Sequence, residues 1–91
     1  MTTQDRVEHA IQDLATRLGL DDSEIAVTSI DEVIWRDGSM GCPRSGMVYT
    51  QQLIDGSRLV LQAADARYHY HAGAGRAYFL CDNPQDPYEV G

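Results

Sequence analysis

Between Asp5 and Leu18 the apolar positions Val7, Ala10, Ile11, Leu14 and Leu18 recur at i, i+3, i+4 and i+7, the stripe of an amphipathic helix with one face to bury. The spacing predicts a helix over residues 4–19, with Thr2 or Thr3 as N-cap, Asp5 and Glu8 at the positive end of the dipole, and Gly19 as the left-handed residue that closes it. Beyond the polar turn Asp21-Asp22-Ser23 the pattern changes to the loose alternation and β-branched content of strands. Strands are expected at about 25–35, 47–54, 57–63, 67–72 and 76–81, with a bulge or break at Asp31-Glu32 and an irregular tail over 82–91. Asp55-Gly56 reads as a two-residue hairpin turn. That turn puts Val48, Ile54, Leu59 and Leu61 on one face. A second tight turn at Ala64-Asp65 would pair Leu61 with Tyr68 and Leu59 with Tyr70, and Gly73-Ala74-Gly75 would join the last two strands.

These elements make an α+β domain spanning residues 1–91, one N-terminal helix packed on an antiparallel β-meander of four to five strands. The helix is expected to bury Val7, Ile11, Leu14 and Leu18 against Val48, Leu59, Leu61 and the tyrosine rings. In outline this order of elements resembles the small helix-on-curved-sheet domains of the cystatin and PepSY kind. The opposite sheet face carries Tyr49, Leu53, Val60, His69, His71 and Phe79, which is too apolar to be left in water. Its expected cover is the tail around Tyr88, a second copy of the chain, or a ligand.

Charge narrows the partners. Seven arginines and no lysine face fourteen carboxylates, for a net charge of -7. Such a chain repels phosphate backbones, so nucleic acid is not an expected partner. No stretch approaches the roughly 20 apolar residues of a membrane span, and the first residues lack a signal-peptide pattern; the expected location is the cytoplasm. In that reducing compartment Cys42 and Cys81, 39 positions apart, are expected as free thiols, with Cys81 the more buried.

The stretch from Asp37 to Met47, DGSMGCPRSGM, gathers glycines, a proline and Cys42 between strands. Its glycines permit positive φ, and Asp37 and Ser39 can bond nearby amides, so it reads as a defined loop with Trp35 or Met47 tucked beneath. The run Trp35-x-Asp37-Gly38-Ser39-x-Gly41-Cys42-Pro43, followed by Gly46-Met47-x-Tyr49-x-Gln51, Gly56-x-Arg58 and Tyr68-x-Tyr70-His71, resembles a set of small uncharacterised bacterial domains over Val27 to Cys81. The chain departs from them at Arg36, Met40 and Ser57, where proline, leucine and an aromatic residue are usual. The resemblance implies a fold and no mechanism.

Catalysis needs a nucleophile with its base or paired carboxylates. Ser39, Ser45 and Cys42 with His69 or His71 form no nucleophile elbow, and no phosphate-binding glycine loop is present. An enzyme is therefore not expected, and no cofactor is implied. A soft-metal site could draw on His69, His71, Cys42 and Cys81, but no pair has the spacing of a preformed zinc site. The leading reading is a non-enzymatic binding or interaction module. Its candidate residues are Trp35, Met40, Cys42, Arg44, Tyr49, Leu53, His69 and His71, and its partner is an unknown protein or a second copy docked on the second sheet face. The alternative is a protease-inhibitor-like protein that presents Met40–Arg44 to a peptidase.

Overall fold

In the computed structural model, which describes residues 3–73 and 75–88, the N-terminal apolar stripe forms helix α1, Thr3–Leu18. Val7, Ala10, Leu14 and Ala15 are buried, and Ile11 and Leu18 pack beside them. Gly19 takes φ +69°, which lets the Leu20 N–H donate to the Ala15 carbonyl at 3.0 Å. This Schellman-type bond satisfies a carbonyl that the helix end would leave bare. Thr2, one of the two expected N-caps, lies outside the described residues. A 3-10 turn, Asp22–Glu24, follows, with the Glu24 carboxylate accepting the Asp21 N–H at 2.9 Å.

Four strands then run in chain order: β1 Ala26–Trp35, β2 Ile54–Ala63, β3 Ala66–Gly73 and β4 Phe79–Cys81. All neighbours are antiparallel and the spatial order is β1-β2-β3-β4, so the fold is α+β as expected. The core lies where α1 crosses the middle of this sheet: Leu14 meets Leu59, Leu61, Ala63 and Tyr70, joined by Ile25. The pairs Leu61–Tyr68 and Leu59–Tyr70 form as the Ala64-Asp65 turn requires. Both turn residues have positive φ, +50° and +65°, the twist that two-residue hairpins need.

The stretch 47–54 is not the strand its alternation suggested. Residues 47–53 have no regular structure, Val48 is 95% exposed instead of facing the helix, and Asp55-Gly56 sits inside β2 rather than at a turn. The reason is steric: Gly56 faces the Trp35 indole, and a strand glycine there leaves the room a side chain would take. The irregularity in β1 falls between Val27 and Ser29, not at Asp31-Glu32, where Asp31 pairs across the strands with Arg58 at 3.4 Å. The last strand is shorter than expected, and Ala74 in the turn before it lies outside the described residues, as do residues 89–91.

Residues 36–53 join β1 to β2 by folding back over the sheet face opposite α1. The tail adds to this cover, with Gln85 N–H donating to Gly41 O at 2.9 Å and Tyr88 N–H to Ile34 O at 2.8 Å. The second sheet face is thus largely covered by the chain's own loop: Val60 is 8% exposed and His71 not at all.

Candidate functional site

The loop is organised around Trp35, the last residue of β1, which is fully buried. Gly56 and Gly73 are directly paired across β2 and β3. Together they leave a shelf without side chains on which the indole lies. A Cβ on Gly56 would come within 2.6 Å of Trp35 Cδ1, and one on Gly73 within 2.8 Å of Met40 Sδ. Trp35 Nε1–H donates to the Ala72 carbonyl at 2.9 Å, satisfying the polar edge that a buried tryptophan must place. Above the ring sits Gly41 at φ +73°, where a Cβ would meet Trp35 Cε3 at 2.8 Å. Glycine is required there both for its backbone and for the close approach.

His71 stacks on Trp35 with ring centroids 4.5 Å apart and meets Phe79 edge-on at 6.3 Å. Its Nδ1–H donates to the Met40 carbonyl at 2.8 Å; a carbonyl can only accept, which assigns the tautomer. Nε2 is then the unprotonated nitrogen, buried without a hydrogen-bond partner among the described residues. Burial pushes the His71 pKa below the ordinary histidine value, with the nearby His69 and Arg58 acting in the same direction and the Met40 bond against it. Asp37 completes the loop by accepting from Ser39 N–H at 2.9 Å and Ser39 Oγ–H at 2.6 Å, the local bonding expected of that pair.

The cysteines overturn their expectation. Cys42 and Cys81 form a disulfide with Cα atoms 5.7 Å apart, and no described cysteine is free. The bond ties the middle of the loop to the end of β4, where Cys81 pairs with His69. It also ends the soft-metal reading: both sulfurs are committed, His71 is sealed under the loop, and no group of three His, Cys, Asp or Glu among the described residues could hold a metal ion.

Between α1, the outer side of this loop and the approach to β4 lies an open cleft of about 720 Å³. Its walls are His9, Asp13 and Arg17 from the helix, Met40, Cys42, Arg44, Met47 and Tyr49 from the loop, and Arg76 with Tyr78, Phe79 and Leu80 from the last segment. The Arg44 N–H donates to the Tyr49 hydroxyl at 3.0 Å, which braces the loop wall. On the helix side Asp13 Oδ2 accepts from both Tyr70 Oη–H and Arg17 Nε–H at 2.7 Å. Partial burial tends to raise the Asp13 pKa, but these bonds and the Arg17 charge outweigh it and hold the carboxyl below its usual value. Burial and the Asp13 carboxylate together push the Tyr70 phenol well above its usual range, so it stays a donor at physiological pH.

Of the residues expected to form a site, Met40, Cys42, Arg44 and Tyr49 come together on this cleft. Trp35 and His71 lie beneath the loop as its foundation, His69 is half-buried beside them, and Leu53 is 52% exposed away from the cleft. Met40, expected as the tip of a presented loop, is only 5% exposed. Arg17, Arg76 and Tyr78 were missed because nothing in the spacing of a helix and a distant glycine turn shows that they meet.

Neither a curated protein nor a solved structure matches the chain. A family model does match, over residues 7–81, from the first buried residue of α1 to the disulfide in β4. The chain belongs to that family, described as a domain of unknown function (DUF8738).

Proposed function

We propose that this domain is a non-enzymatic binding module and that the cleft between α1, the disulfide-pinned loop and β4 is its binding site. The observation that carries this reading is the way the loop is held. Residues 36–53 have no helix or strand, yet a disulfide, a glycine-seated tryptophan and the His71–Met40 bond fix them in place. Long irregular segments are held this firmly where their outer surface has work to do. The cleft has the volume of a ligand site, and its walls mix apolar rings with a few polar groups.

The arrangement supports catalysis poorly. The only cysteines described are bonded to each other and the stacked histidine is shut away from the cleft. The inhibitor reading loses its motive too, since Met40 points inward. A partner docking on the second sheet face would meet the outside of the loop instead of Val60 and His71. The disulfide also bears on location: such bonds persist in oxidising compartments, so this bond favours work outside the reducing cytoplasm. No helix among the described residues is long and apolar enough to cross a membrane.

The test is a titration of isotopically labelled protein with a fragment library, read by amide and methyl shifts. Binding at this cleft moves Met47, Tyr49, Phe79 and Leu80 together. Shifts that gather elsewhere, or none at millimolar fragment, would refute the site.

A further inference from the structure

The cleft reverses the electrostatic character of the chain. In a protein of net charge -7, Arg17, Arg44 and Arg76 line this one cavity with Asp13 as its lining carboxylate. Asp13 is already engaged by Arg17 and Tyr70, and Asp82 also acts on Arg17. Arg44 and Arg76 have no ion pair or side-chain hydrogen bond to any described residue. Two other clefts are acidic by comparison, both carrying Glu32 and Asp55. These two guanidiniums of Arg44 and Arg76, one on the loop and one before β4, line the same cleft, and their planar donors suit the oxygens of a carboxylate or phosphate. Beside them Met47, Tyr49, Phe79 and Leu80 offer apolar surface, with Met47 59% exposed.

We infer that the cleft takes a small organic anion, a carboxylate or phosphate head clamped by Arg44 and Arg76 with an apolar body against Met47 and Tyr49. This rests on the cleft being the binding site. The anion would also enter against a field that elsewhere repels it, so the two arginines select the pose as well as the charge.

The experiment titrates the labelled domain with phenyl phosphate, benzoate, inorganic phosphate and neutral benzyl alcohol. Phenyl phosphate or benzoate should move the Arg44 and Arg76 Nε–H signals together with Met47 and Tyr49, and the better of the two identifies the head group. Both should bind more weakly as salt is raised. The double variant Arg44→Gln/Arg76→Gln should weaken binding by about tenfold or more. Both positions are exposed, so Trp35 fluorescence should be unchanged and the fold intact. If benzyl alcohol binds the cleft as well as the anions do, or the double variant binds undiminished, the anion inference falls while the cleft remains the binding site. If inorganic phosphate binds as tightly as phenyl phosphate, the apolar half of the inference falls. If no probe and no library fragment reaches the cleft, both readings fall.

Discussion

Gly56→Ala is the most direct test of how the loop is built. The added Cβ would sit 2.6 Å from Trp35 Cδ1, and nearer still to Trp35 Nε1 and the Ala72 carbonyl. Real Cβ contacts begin near 3.0 Å, so the indole or the β3 backbone must move by several tenths of an ångström. The backbone is held by the β2–β3 ladder and the indole by Gly41 above it, so neither can yield without loss. Overpacking of this kind costs about 1–3 kcal/mol. Separating Trp35 Nε1–H from Ala72 O leaves a buried donor unpaired, for about 1–3 kcal/mol more. The expected loss is therefore about 2–6 kcal/mol, a large share of what so small a domain holds. Urea unfolding read by far-UV dichroism and by the fluorescence of Trp35, the single tryptophan, measures it. Gly38→Ala serves as control, because its Cβ finds its nearest neighbour at an ordinary 3.4 Å. The loss should shrink when Gly56→Ala is made in a Trp35→Phe background, since the smaller ring removes most of the clash. A cost under about 0.5 kcal/mol for Gly56→Ala, or one unchanged by Trp35→Phe, would refute the glycine shelf.

Three other outcomes are expected. Cys42→Ser/Cys81→Ser should lose about 4 kcal/mol by the loop-entropy relation for a bridge closing 39 residues; native thiol titration that finds two free groups in the unreduced wild type would contradict the bond. Because folding depresses the His71 pKa, its contribution is fully present above the unfolded-state value of about 6.5 and is lost as pH falls below it, with a slope of at most about 1.4 kcal/mol per pH unit. Chemical denaturation at pH 7.5 and 5.5 should show this loss, and His71→Phe should flatten it; an unchanged slope would move the cause elsewhere. Ala64→Asn should stabilise the β2–β3 turn by about 0.5–1 kcal/mol, since asparagine tolerates the positive φ that alanine bears here at a cost; a lower thermal midpoint would count against the turn geometry.

Features that depend on near neighbours are legible along the chain. The α1 stripe, its glycine stop, the β2–β3 pairing of Leu59 with Tyr70 and the α+β class all follow from periodicity and local backbone preference, and the structure has them. A local rule also produced the largest error. Asp55-Gly56 is a strong hairpin signal, but the chain spends Gly56 on seating Trp35, a residue 21 positions earlier, and turns instead at Ala64-Asp65. An expected compartment does not decide whether Cys42 and Cys81 pair; the placement of Cys42 against β4 does. The cleft likewise joins Arg17, Arg44 and Arg76 from three separate segments. Packing brings such residues together through shape and solvent exclusion, which have no period along the chain, so the candidate site became legible only in three dimensions.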